Sequence, residues 1–225
     1  MRSNLYVLTF MSGITVVLGF LLSFAASSLK ERQDFNVEID MKRNILKSLN
    51  IPEDAARVLT TDEIEPLFDE KVITLLINED GAVTEDGTMP LYVKSTNGVS
   101  EGYSIPISGK GLWSTIYGYL AIEPDGKTVK GLTFYKHGET PGLGGEIEKE
   151  WFTSNFKGKQ IVSPYGELVG IQVIKGQVDP EDLEAYHKVD GISGATMTTK
   201  GLNKFLIANL ESYNPFFQNL RVVGE

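Results

Sequence analysis

Apolar residues dominate the stretch from Leu5 to Leu29, and no charged side chain interrupts it. A helix rising ~1.5 Å per residue crosses a ~30 Å hydrocarbon layer within that length, so the pattern predicts one transmembrane helix. Ser23-Phe24-Ala25 offers small residues at a spacing usable by a signal peptidase. The apolar run is nevertheless longer than the ~7–15 residues of a signal-peptide core, so the expectation is a retained anchor over residues 1–30. Past it, Met41, Ile45, Leu46 and Leu49 fall on one side of a helix. This suits a membrane-proximal helical stalk over residues 31–60. Pro52 to Val58 and Thr61 to Phe68 read as short helices, the second capped by Thr61 or Asp62.

The period then shortens. Lys71–Ile77, Leu91–Lys94, Tyr103–Ile107 and Thr128–Tyr135 read as strands from their apolar, β-branched and aromatic content, and Gly109–Ile122 runs from a glycine turn into alternating apolar residues. Pro106 should place its strand near a sheet edge, and Pro124-Asp125-Gly126 forms a hairpin turn. Leu168 to Lys175, bracketed by Gly166 and Gly176, is a further strand. Leu202, Phe205, Leu206, Ile207 and Leu210 have the spacing of a helix with one buried face. The fold class is α+β: one N-terminal transmembrane helix, then a domain over residues 61–225 with an antiparallel sheet and flanking helices.

Composition removes several functions. A net charge of −9 and a pI near 4.9 argue against nucleic acid as a partner and against polybasic lipid binding. The chain has no cysteine, which excludes disulfides, cysteine-ligated iron–sulfur clusters and thiol catalysis within it. His137 and His187 are the only histidines, and no catalytic residue or metal ligand set can be assembled around them. Gly142-Leu143-Gly144-Gly145-Glu146-Ile147 lacks the last glycine of a dinucleotide fingerprint, and Ser108-Gly109-Lys110-Gly111 lacks the spacing of a phosphate-binding loop.

Two segments carry candidate chemistry. Asp190-Gly191-Ile192-Ser193-Gly194-Ala195-Thr196, followed by Met197-Thr198-Thr199, runs into the C-terminal helix. Thr196 has small neighbours and lies where a helix N-terminus favours an anion; on the residues alone, ordinary helix capping is the better account of a threonine there. His137-Gly138-Glu139-Thr140-Pro141-Gly142-Leu143-Gly144-Gly145-Glu146 holds four glycines and a proline, a loop in which backbone can approach a ligand closely. Trp113 in this strand-rich region defaults to the core.

Asp190 to Thr196 resembles the flavinylation sequence of FMN-binding domains, and Glu139-Thr140-Pro141-Gly142-Leu143-Gly144 is similar to a second loop of the same family. The resemblance implies covalent FMN, bound through its phosphate to Thr196. It places Asp190, Ser193, Gly194, Ala195, Met197 and Thr198 in the attachment segment. It sets Glu139, Thr140, Gly142, Leu143, Gly144 and Trp113 around the flavin. A separate flavin transferase, with FAD as donor, would perform the attachment. The membrane exit, Ala25-Ala26 through Leu29-Lys30, Gln33 and Asn36, and the later Asn44-Ile45-Leu46 resemble the NqrC family of the sodium-pumping NADH:quinone oxidoreductases more than the RnfG family of the related Rnf complexes. The implied role is a single-electron carrier among the other subunits of an Nqr-type complex, anchored in membrane lipid and without substrate turnover of its own. The soluble domain would lie on the periplasmic side of the cytoplasmic membrane. A naive count of Arg2 against Lys30, Arg32, Lys42 and Arg43 points the other way, but that rule is weak for long domains. An Rnf-type carrier and a non-redox membrane-anchored binding domain are the alternatives.

Overall fold

The computed structural model describes residues 4–52 and 57–223. The chain divides into two compact units, Met1–Asp40 and Met41–Glu225. Helix α1 (Asn4–Ser48) begins in the first and ends in the second. Among the described residues it is the one helix long and apolar enough to cross a membrane. Leu8, Val16, Phe20 and Leu22 are each more than half exposed, a display of apolar surface that suits lipid and not water. The second unit begins at Met41, and Ile45, Leu46, Ser48 and Leu49 at the end of α1 and just past it are buried. The short helix expected over Pro52–Val58 falls largely on residues 53–56, outside the described residues.

Five strands form an antiparallel meander in chain order: β1 (Val72–Ile77), β2 (Met89–Thr96), β3 (Val99–Lys110), β4 (Thr115–Ile122) and β5 (Val129–Lys136). Alternation along the strands separates two faces. Ile105, Ile107, Ile116, Leu120, Ile122, Leu132 and Phe134 join a core with Leu202, Phe205, Leu206 and Leu210 of α4 (Thr196–Val223), the helix that follows α2 (Thr61–Lys71) and the short α3 (Glu150–Thr153). On the opposite face Ser104 meets Ser48 at 2.8 Å between hydroxyls, and the Thr133 hydroxyl donates to the Asn44 carbonyl at 3.2 Å. There Phe68 of α2 meets Tyr92 edge-on. The sheet thus lies between α4 on one side and α2 with the end of α1 on the other.

Three local expectations change. Helix α2 is capped by Thr60, not Thr61 or Asp62: the Glu63 carboxylate accepts from the Thr60 N–H and hydroxyl, both at 3.0 Å. Pro106 sits in the middle strand of the sheet. The pairing of β3 with β2 ends at Tyr92↔Ser104, so the proline occupies a stretch bonded to β4 alone and its missing N–H costs no ladder bond. The strand expected over Leu168–Lys175 shrinks to β6 (Gln172–Val173), which pairs in parallel with β7 (Lys188–Val189). The Asn203 side chain completes that pair from α4, donating to the Val173 carbonyl at 2.9 Å and accepting its N–H at 2.8 Å.

Helix α4 lies close on the sheet. A Cβ on Gly109 would run into the Phe205 side chain, and one on Gly201 into the Lys110 carbonyl. Asn209 repeats the Asn203 arrangement on β3, donating to the Ser108 carbonyl at 2.9 Å and accepting its N–H at 3.4 Å.

Candidate functional site

The 190–196 segment leaves β7 directly and is laced to the chain before it. Asp190 Oδ1 accepts the Val178 N–H at 2.8 Å, and the Gly191 N–H donates to the Gly176 carbonyl at 2.8 Å. A Cβ at Gly191 would collide with the Ile174 carbonyl. Gly194, at φ +75°, turns the chain into α4, whose first helical residue is Thr196. Ala195 holds the N-cap position: its carbonyl accepts the Thr199 N–H at 2.9 Å, but it has no side-chain acceptor to offer. Thr196 is therefore not the cap. The first N–H groups of α4 have no carbonyl one turn back, and the positive end of the helix is left for an external anion.

Three threonine hydroxyls crowd this turn, and the structure distinguishes them. Thr198 is 1% exposed and donates to Glu139 Oε2 at 2.6 Å. Thr199 is also buried and donates to the carbonyls of Ala195 and Thr196, both at 3.1 Å. Thr196 alone of the three is exposed. It lies on a cleft of about 860 Å³ whose lining includes Asp190, Gly191, Ser193, Gly194, Thr199, Lys200 and Asn203. Trp151, Asn155, Lys175, Gly176 and Gln177 also line it. The volume admits a tricyclic cofactor. Lys175 and Lys200 bring positive charge to a chain that is acidic overall.

The second loop meets the first at Leu143. A Cβ on Gly194 would stand 2.6 Å from Leu143 Cδ2, so the absent side chain is what lets the two segments touch. The Thr140 carbonyl accepts the N–H groups of Leu143 and Gly145, closing the loop into a 3-10 turn over Gly144–Glu148. Glu146 accepts the Gly142 N–H at 3.2 Å and the Trp151 indole N–H at 3.4 Å, which joins the loop to the cleft wall. Trp113 is 70% exposed, on the turn between β3 and β4, so it is not the core residue that its surroundings suggest. With Leu112, Leu143 and Met197 it presents exposed apolar surface.

Beneath these exposed groups Glu139 is 5% exposed. Its carboxylate accepts the Trp113 N–H at 2.9 Å, Leu112 at 3.2 Å and Ser114 at 3.3 Å, besides the Thr198 hydroxyl. Burial pushes this carboxyl up, but the Thr198 hydroxyl and the three N–H groups outweigh burial and hold it below the ordinary carboxylate range. The Glu139 N–H donates to His137 Nδ1 at 3.3 Å, which leaves Nε2 to donate to Glu148 at 3.2 Å.

The positions named from sequence therefore fall into three groups. Asp190, Ser193, Gly194 and Thr196 line the cleft. Trp113, Thr140, Gly142, Leu143 and Met197 are exposed outside its lining, while Glu139, Gly144, Ala195 and Thr198 are buried. Sequence patterns do not single out Trp151, Asn155, Lys175, Gly176 and Gln177, nor Lys200 and Asn203. Residues 196, 199, 200 and 203 share one helix face, so helical periodicity counted from Thr196 points to three of these lining positions.

Residues 111–211 match the family model for the FMN-binding domain. The NqrC subunit of the Na(+)-translocating NADH-quinone reductase of Pseudomonas aeruginosa is 31% identical over 245 residues, covering 92% of this chain and 92% of that one. The chain belongs to this NqrC family. The Vibrio campbellii member is 32% identical and covers 94% of this chain and 93% of its own. Two crystal structures share the fold. The family member from Parabacteroides distasonis superposes with a TM-score of 0.72 at 32% identity, over 84% of this chain and 96% of that one. Shewanella oneidensis NqrC does so at 0.70 and 29% identity, over 81% and 97%. Membership explains why an α+β domain with a five-stranded antiparallel sheet follows a long apolar helix.

Proposed function

We propose that the protein is the covalent-FMN electron-carrier subunit of a Na+-translocating NADH:quinone reductase, with the flavin on Thr196. The observation that carries the attachment site is the contrast among three neighbouring threonines: Thr198 and Thr199 are buried and bonded, and Thr196 is exposed at an uncapped helix N-terminus. An external flavin transferase would supply FMN from FAD. The Thr196 oxygen bonds to the FMN phosphorus, the pyrophosphate bond breaks, AMP leaves, and the hydroxyl proton is lost. The resulting phosphodiester anion suits the free N–H groups and the two lysines near the cleft. FMN supplies one-electron redox chemistry; this chain binds it, orients it and sets its electrostatic surroundings.

The same reading gives the remaining parts their work. Residues 1–30 anchor the protein in membrane lipid, residues 31–60 lead from the membrane into the domain, and the remainder holds the flavin on the periplasmic side. A tether replaces diffusion with a high local concentration near the other Nqr subunits, and a covalent bond prevents loss of a cofactor that could not be replenished outside. Kinship with NqrC over nearly the whole chain favours this complex over an Rnf-type one. The test is intact-mass measurement of full-length protein produced with a flavin transferase. One FMN adduct is expected on the wild type and none on Thr196→Ala. A flavin-fluorescent band of denatured Thr196→Ala, with flavin on Thr198 or Thr199, would overturn the assignment.

A further inference from the structure

Glu139 is an unusual group to find under this site. A carboxylate 5% exposed is costly unless its oxygens are satisfied, and here each oxygen has two donors. Oε1 accepts the N–H groups of Trp113 and Ser114, and Oε2 accepts the Leu112 N–H and the Thr198 hydroxyl. Three consecutive N–H groups of the 112–114 turn converge on one carboxylate. The fourth bond goes to α4, two residues beyond Thr196. Two glycines keep room for the arrangement. A Cβ at Gly111 would stand 2.6 Å from Glu139 Oε1, and one at Gly144 would overlap the Thr198 hydroxyl. The Ser114 hydroxyl adds a bond from the neighbouring Gly138 N–H. Segments far apart in sequence are thus joined at one buried oxygen pair, and nothing in that bonding pattern is left over to contact a cofactor.

We propose that Glu139 is a positioning residue: its carboxylate fixes the Leu112-Trp113 turn against the first turn of α4, and it sets a negative charge at that turn, bonded two residues from the flavin-bearing Thr196. This rests on the flavin assignment above, and it gives Glu139 a role distinct from contact with the ring. The exposed Leu112 and Trp113 side chains owe their place to the N–H bonds beneath them; the turn's further bonds, from the Gly111 N–H to the Ser114 carbonyl at 2.8 Å and from the Gly138 N–H to the Ser114 hydroxyl, lie at its ends. A negative charge near a flavin disfavours electron uptake, so removing it should make the midpoint potential more positive.

The experiment uses the full chain in detergent, as wild type, Glu139→Ala, Glu139→Gln and Thr198→Val, each made with and without the transferase. In the unloaded proteins, hydrogen exchange at the 112–114 amides is read. It should accelerate on the order of tenfold or more in Glu139→Ala, and much less in Glu139→Gln, whose amide oxygen can still accept. In the loaded proteins the midpoint potential is read. It should become more positive in Glu139→Gln, which keeps the shape and loses the charge, and change little in Thr198→Val, which keeps the charge. Wild-type exchange rates in Glu139→Ala, or a wild-type potential in Glu139→Gln, would each overturn the proposal. Should Glu139→Ala not fold, the same exchange is compared between Glu139→Gln and wild type, where the loss of protection at one or more of the three amides is required. Absence of an FMN adduct on the wild type would refute the flavin assignment, while the exchange arm would still decide whether Glu139 holds the turn.

Discussion

Leu143 lies against Gly194, so near that a Cβ on the glycine would stand 2.6 Å from the leucine Cδ2. Gly194 also has φ +75°, a region in which a side chain is strained. Gly194→Ala therefore carries two penalties, about 1–2 kcal/mol of backbone strain and the displacement of the 138–145 loop. It should load FMN more slowly than wild type by intact-mass time course. Adding Leu143→Ala should recover part of the rate, because it relieves the contact but not the backbone. Equal rates for the single and double variants would show that the contact has no bearing on loading.

Asn203 supplies both hydrogen bonds to Val173 that a neighbouring strand would otherwise provide. Asn203→Leu removes them and leaves two backbone groups unpaired, which should lower stability by roughly 2 kcal/mol or more. Denaturant unfolding of the full chain in detergent, followed by tryptophan fluorescence, measures this. Because Asn203 also lines the cleft, the variant should bind its flavin in a looser environment, with a shifted visible absorption band.

His187 gives a pH prediction. Both of its ring nitrogens are buried without a hydrogen bond of normal geometry, and the ring stacks on Tyr186 at 4.8 Å. Burial pushes its pKa down, against the pull of Glu184 and Asp182, with Lys188 adding to the depression. The unfolded chain accepts a proton as pH falls through about 6.5, while the folded imidazole stays neutral to lower pH. Stability should therefore decline as pH drops below that point. His187→Phe, which retains the stacking, should flatten the decline between about pH 7 and 5 in denaturant titrations; an unchanged slope would assign it to other groups.

The chain holds no cysteine, so a single introduced thiol is an unambiguous reporter of sidedness. Tyr165 is 91% exposed on a loop. Tyr165→Cys in spheroplasts should react with a membrane-impermeant maleimide without lysis if the domain lies on the periplasmic side. Labelling only after lysis would reverse the proposed topology.

What can be read from the residues divides along a physical line. The meander is legible because β-branched and aromatic runs separated by turns such as Pro124-Asp125-Gly126 are local signals, and the Asp125 carboxylate does accept the Lys127 and Thr128 N–H groups there. The buried face of α4 is legible from its period. The length of β6 is not, because a side chain 30 residues away takes over where a strand would have paired. Trp113 misleads for a related reason: its surroundings have the composition of a strand, but its backbone is held in a turn by Glu139, 26 residues downstream. The bond between Glu139 and Thr198 spans 59 residues and leaves no trace in either local pattern.

The close seat of α4 bears on how an electron carrier keeps its rate. Electron tunnelling falls exponentially with separation, so a cofactor hung from a rocking element would transfer at a rate that varies with every excursion. Thr196 instead opens a helix whose next turns are wedged at Gly201 against the Lys110 carbonyl and at Phe205 against Gly109, with Asn209 bonded to β3 one turn further on. Anything attached to Thr196 takes its position from the sheet itself. The two glycines, outside the cleft lining and without chemistry of their own, act as the gauge that sets the distance.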